Sequence, residues 1–290
     1  MFLMDTLTKA LVYVFIAGSM LGIGLKVGKD ELLSVLRDKS WLVRMFVANF
    51  ILIPAAGILA AKFIPMKPEN GLALIVLACA PGGMSALQFL SKKKEPAALA
   101  YGAGTTALLS FLSIFISPVL ISLAMPKGMT LTVPYGKAIL FVVLFMLLPL
   151  VIGILVHGTA KAAASKLAGP ISLIATLAFI GGMVKLLRMT KAAKGEMGKM
   201  GLILIVVFIL VSILIGWLLG GPRKFTQPVL ATASSMRNIA LALAIAVRSF
   251  DLAVLTPLVA FFAIMVPANL LFMVISKLAG KKMEKRATAQ

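Results

Sequence analysis

ATASSMRNIALALA, residues 231–244, carries an arginine with no other charge near it. Lys224 on one side and Arg248 on the other are the nearest charges, so Arg237 sits close to the centre of a span-length apolar segment. A guanidinium at that depth costs roughly 2.5 kcal/mol or more even on the mildest insertion scale. Such a residue faces a protein interior or a water-filled cavity, and by default marks function. Two readings stay open here. Arg237 serves a substrate or ion site, or it ties neighbouring helices together through their carbonyls.

The surrounding composition explains why "span" is the right word. The chain has 290 residues, 61% hydrophobic and only 13% charged, with a mean hydropathy of +1.08. Soluble domains carry roughly a quarter charged residues. In lipid every backbone polar group must be satisfied internally, which leaves helices or closed barrels. The apolar runs are long and continuous rather than alternating, which excludes a barrel. The fold class expected is therefore all-α and polytopic. The formal charge of +20 does not indicate nucleic acid, because its Lys and Arg lie mostly between apolar runs and no soluble basic domain is present. One cysteine, Cys79, excludes an intramolecular disulfide. The first apolar run lacks a small-residue cleavage site and reads as a retained span, not a signal peptide.

About 20 apolar residues cross the hydrocarbon core. On that ruler the chain holds nine spans: 7–26, 41–64, 69–91, 97–124, 135–157, 169–187, 200–220, 226–248 and 253–276. The connections, such as KDELLSVLRDKS and SKKKEP, read as short and polar, so residues 1–290 form one membrane unit. Seventeen of the 29 Lys and Arg fall on the side of the basic C-terminal tail (277–290) and eleven on the other. That excess places the C-terminus in the cytoplasm, with the inner membrane of a bacterium as the expected location.

Two spans are interrupted. In ALIVLACAPGGMSALQFL, Pro81 removes a backbone donor and Gly82 and Gly83 weaken the next turn, so two half-helices are expected to meet near the midplane. In the eighth span a small polar cluster, Thr232, Ser234, Ser235, Arg237 and Asn238, lies at the equivalent depth. LACA (77–80) echoes LATA (230–233), and each is followed by a phenylalanine-rich run ending in proline, at Pro118 and Pro267. Their placement suggests an inverted repeat, with residues 1–124 and 135–276 as its halves. Paired interrupted spans in repeated halves point to a transporter's binding site. All nine acidic residues lie in loops, termini or span ends, so no carboxylate at mid-depth serves a proton relay or a sodium cage. The lone mid-span charge is positive and suits an anionic ligand.

ACAPGG (78–83) with SFLSIFISP (110–118), FILIP (50–54), LLPLVIGILVHG (147–158) and MRNIALALAIA (236–246) together resemble the bile acid:sodium symporter superfamily. The resemblance runs from about Leu21 to Lys277. It implies two inverted repeats forming a core and a panel, two broken helices crossing in the core, and nine spans as in members lacking the first of ten helices. It also implies a secondary transporter of organic anions, from sterol conjugates to small carboxylates, and no enzyme. A small organic anion and membrane lipid are the partners expected; no cofactor is.

The departures from that family pattern bear on mechanism. Where sodium-coupled members have a Ser–Asn pair after PGG, this chain has Ala86 and Leu87. Two hydroxyl ligands on the next helix fall on Ala100 and Gly104, and a glutamate shared by both sodium sites falls on Ala233. A glutamine four residues later becomes Arg237, the adjacent asparagine stays as Asn238, and a further glutamine becomes Asn49. A glutamate with two sodium ions carries +1, as does an alanine with an arginine. The resemblance thus implies a sodium-independent transporter in which Arg237 replaces bound sodium. Arg237, Asn238, Ser234, Ser235, Pro81, Gly82, Gly83, Asn49 and Asn269 are the candidate crossover residues.

Blander readings accompany each. Asn49 and Asn238 suit ordinary interhelical hydrogen bonds, worth about 1 kcal/mol each, and Pro81–Gly83 suit a simple kink. Cys79 reads as a small buried hydrophobe, His157 as interfacial, and Lys92–Lys94 as topology signals. The alternatives left open are a sodium symporter with a rearranged site, a metalloid exporter using Cys79, and a membrane sensor that no longer transports. An integral membrane enzyme lacks clustered acids, metal-ligand spacing and a nucleophile–base pair.

Overall fold

The computed structural model describes residues 6–82, 96–125, 140, 143–189, 197–223, 225–250 and 252–287. Within them the chain forms twelve helices: α1 Thr6–Gly24, α2 Lys29–Arg37, α3 Lys39–Phe46, α4 Ile53–Phe63, α5 Pro68–Ala78, α6 Pro96–Ala124, α7 Leu148–Thr159, α8 Lys161–Met189, α9 Gly198–Leu219, α10 Thr226–Ser235, α11 Ile239–Ser249 and α12 Leu252–Ala287. Five stretches are long and apolar enough to cross a membrane: Lys39–Phe63, Gly104–Ala124, Lys161–Gly182, Gly198–Leu219 and Ala253–Ser276. The segments α5, α10 and α11 hold 11, 10 and 11 residues. At about 1.5 Å per residue each covers only half of a ~30 Å hydrocarbon core.

Two proline positions shape the helices by one mechanism. Pro54 and Pro149 each stand second in their helix, and each is preceded by a π turn, Val47–Leu52 and Val143–Leu147. A proline ring presses on the carbonyl four residues earlier and supplies no donor. The wider π turn moves that carbonyl aside, so α3 and α4 continue as one span. Asn49 lies within the first π turn and is buried.

Three expectations change. KDELLSVLRDKS is helical, because α2 lays Val35 against α6 while Leu36 and Arg37 face outward. The stretch expected at 169–187 begins at Lys161, and α12 runs eleven residues past 276. Ala, Lys and Leu predominate in both extensions and favour helix even where the sequence turns polar.

Contacts divide the helices into two groups. α1 packs on α7 and α8, while α2 to α6, α9, α10 and α12 pack among themselves; α11 touches α1, α5 and α12, and α1 also touches α6. The α1–α7 contact brings backbones together: a Cβ on Gly24 would lie 2.3 Å from the Leu150 carbonyl oxygen, and one on Gly153 2.6 Å from that of Leu21. Polarity is inside out. Asn49, Ser110, Ser113, Ser212, Ser234, Ser235, Arg237, Asn238 and Asn269 are buried, while Leu202, Ile203, Val206, Leu210, Leu214 and Leu218 form an exposed face of α9. That distribution belongs to a protein solvated by lipid.

At one end of the bundle Asp38 links three elements. It caps α3 by accepting from the Trp41 amide at 3.0 Å, and it accepts from the Tyr101 hydroxyl at 3.0 Å and Arg223 Nη1 at 2.9 Å. Trp41 Nε1 donates to Thr105 Oγ1 at 2.9 Å. Partial burial pushes the Asp38 carboxyl up, but the Trp41, Tyr101 and Arg223 donors outweigh it and hold the group below its ordinary value.

Candidate functional site

The site is built where two helices stop. α5 ends at Ala78, and with Pro81 three residues on, no amide continues the ladder there. Its last carbonyls therefore lack their i+4 donors, and the Leu77 carbonyl takes only a shorter-range bond from the Ala80 amide at 3.2 Å. α10 ends at Ser235, Met236 is extended (φ −85°, ψ 97°), and α11 starts at Ile239. Arg237 lies in that break and is 0% exposed.

Its guanidinium reaches across to both helix ends. Nε donates to the Leu77 carbonyl at 2.9 Å and Nη2 donates to that of Ala78. Nη1 donates to the Ser234 carbonyl at 3.0 Å and to Asn49 Oδ1 at 3.1 Å. Asn49 Nδ2 in turn donates to Ser234 Oγ at 3.0 Å and to the Met45 carbonyl at 3.1 Å. No carboxylate takes part. A helix C-terminus carries roughly −0.5 elementary charge, so the ends of α5 and α10 together supply about −1 against the guanidinium's +1. Four of the five donors are used within the chain, which makes Arg237 a fixed charge rather than a hook for a ligand.

Asn238 joins the two breaks through its backbone. Its amide donates to the Ala80 carbonyl at 2.8 Å, and its Oδ1 caps α11 by accepting from the Leu241 amide at 3.0 Å. Asn238 Nδ2 and Thr232 Oγ1 are buried without a protein partner. Ser235 Oγ donates to Asn269 Oδ1 at 2.6 Å, and Asn269 Nδ2 donates to the Met265 carbonyl at 2.9 Å, tying α10 to α12. Gly82 has φ +94°, a conformation that favours glycine, and a Cβ there would lie 2.5 Å from the Ser110 amide nitrogen. Ser110 Oγ donates to the Gly82 carbonyl at 2.8 Å.

Of the candidate residues, Arg237, Asn49 and Ser234 come into direct contact. Asn238 joins them through Ala80, Ser235 pairs with Asn269, and Pro81 and Gly82 are buried at the first break. Gly83, Ala86 and Leu87 lie outside the described residues, and Ala100 lies in α6. Gly104 and Ala233 are buried in α6 and α10 and bring no oxygen-bearing side chain. Among the described residues no three His, Cys, Asp or Glu side chains gather as a metal site. The sequence implied that carbonyls of neighbouring helices accept from Arg237 but did not single out those of Leu77 and Ala78, nor Ser110. The proline at 81 was the available signal, since it marks the end of α5 and so the position of its orphan carbonyls.

No curated protein sequence matches the chain. The end of α5 and the break between α10 and α11 meet in a bundle of apolar helices whose polar groups turn inward, as in a membrane-embedded protein. The model of the sodium bile acid symporter family matches residues 13–194, a stretch that includes the first break and ends before Arg237. On that match the chain belongs to the sodium bile acid symporter family, whose members are membrane transporters.

Proposed function

We infer that the protein is a sodium-independent secondary transporter of organic anions that works by alternating access, with Arg237 standing in for a bound cation. One observation carries this reading: a buried guanidinium balanced by the C-terminal ends of α5 and α10, with no carboxylate in the network. The positions that resemblance assigns to sodium ligands support it, as Ala233 and Gly104 offer no donor oxygen. In this reading the chain crosses a bacterial inner membrane nine times with its C-terminus in the cytoplasm. α1, α7 and α8 form the panel, the remaining helices form the core, and residues 1–124 and 135–276 are inverted halves. A rearranged sodium site is the second reading, favoured by Thr232 Oγ1, which is buried without a protein partner.

Thermal unfolding in choline buffer, titrated with sodium at constant ionic strength, separates the two. A ligand that binds the folded state raises its stability by mass action. The midpoint of the wild type is expected to stay put. Arg237→Ala leaves acceptors at Ala78, Ser234 and Asn49 unpaired, each worth about 1–3 kcal/mol, while the Leu77 carbonyl keeps only the Ala80 amide at 3.2 Å, so its midpoint should fall markedly. A wild-type midpoint that climbs with sodium rejects the arginine-for-cation reading.

A further inference from the structure

The network at the break also constrains what drives a transport cycle; this step rests on the function proposed above. None of the nine acidic residues lies in the middle of an apolar span, so no mid-depth carboxylate takes up or releases a proton as the core moves. Arg237 does not release its charge either. It is 0% exposed, and its acceptors at Leu77, Ala78, Ser234 and Asn49 belong to the same chain and travel with it. None of those partners departs when a substrate departs. The empty carrier is therefore as well balanced as the loaded one, and the cost of an unpaired buried charge does not hold it in place.

We propose that the protein is an electrogenic uniporter of monovalent organic anions, and that it acts as an exporter across a membrane negative inside. The outward leg carries the anion together with Arg237 and its two helix ends. The return leg carries Arg237 and the helix ends alone. Over one cycle the fixed charges cancel and a single negative charge crosses. A potential of 100 mV then holds a roughly fifty-fold excess of the anion on the positive side. An exchanger of like-charged anions differs on both counts, since it needs an anion on each face and moves no net charge.

The test uses the full chain in liposomes, in sodium-free choline and potassium buffers. Labelled taurocholate is the probe in one set and labelled pantoate in another, both monovalent anions. A potassium gradient with valinomycin sets about 100 mV of either sign. A uniporter equilibrates from either orientation, so random insertion does not blur the result. Expected, for at least one probe, is protein-dependent accumulation towards fifty-fold when the interior is positive and release when it is negative. This should hold with no anion on the far side and with a protonophore present. Flux indifferent to the potential, or requiring an anion on the far side, overturns the proposal while leaving the sodium-free reading intact. Flux that appears only with a sodium gradient rejects that underlying reading. Absence of protein-dependent flux of both anions under every gradient rejects both.

Discussion

Arg237 is expensive in isolation and well satisfied in place. Its charge was legible from the sequence because nothing around it in 231–244 is charged. Which oxygens accept from it was less legible: Pro81 locates the end of α5, but main-chain oxygens at Leu77, Ala78 and Ser234 leave no mark on their own residues' identity. A graded substitution tests how far geometry matters beyond charge. Lysine keeps the positive charge but presents three donors from one point, in place of a planar fork. At least one of the four acceptors then loses its side-chain donor, at about 1–3 kcal/mol where no backbone amide replaces it. Arg237→Lys should unfold below the wild type and above Arg237→Ala, again without a sodium response. Equal midpoints for the lysine and arginine proteins would show that charge alone suffices.

Helices in this protein are placed by close backbone contact and by their ends. α1 and α7 meet through Gly24 and Gly153, where a Cβ would sit 2.3–2.6 Å from a carbonyl oxygen of the other helix. Gly153→Ala must push the pair apart, an overpacking worth about 1–3 kcal/mol. Gly158→Ala, with nothing within 4 Å of its Cβ, is the control and should leave the thermal midpoint unchanged or slightly raised. The Asp38 cap gives a pH-dependent counterpart. Its carboxyl is held below the ordinary value, so its contribution is complete above about pH 4 and vanishes as pH falls through the depressed value. Asn keeps the capping oxygen and loses the charge. The stability difference between wild type and Asp38→Asn should therefore be constant above pH 4 and shrink towards zero below it. A difference that persists at low pH would place Asp38's role in shape rather than charge. The long apolar runs were easy to read as helices. α2 was not, because nine amphipathic residues flanked by charges resemble a loop until α6 provides something for Val35 to pack on.

At the scale of the molecule, the arrangement turns a soluble protein's polarity around. Composition and the continuous apolar runs were enough to give the all-helical class, and the stop of α5 and the break between α10 and α11 were legible from Pro81 and from the polar cluster at 232–238. The second half of the third span lies outside the described residues. Which helices group together was not legible, since that depends on contacts such as Gly24–Gly153 that join residues far apart in the chain. The proposed orientation has a direct check. With Cys79 replaced by serine, a single cysteine at Gln290 should react with an impermeant thiol reagent only after cells are permeabilised. One introduced at Met66, between α4 and α5, should react in intact cells. The reverse labelling would invert the topology. Finally, the acceptors around the guanidinium have a consequence for descent. Any substitution at Leu77 or Ala78 leaves the accepting oxygen where it is, and one at Ser234 gives up only the hydroxyl's bond to Asn49. Among the four acceptors, position 49 is the one place where the balance depends on spelling. A lineage can rewrite the other letters freely so long as two helices keep stopping where they stop, so what is inherited here is mostly punctuation.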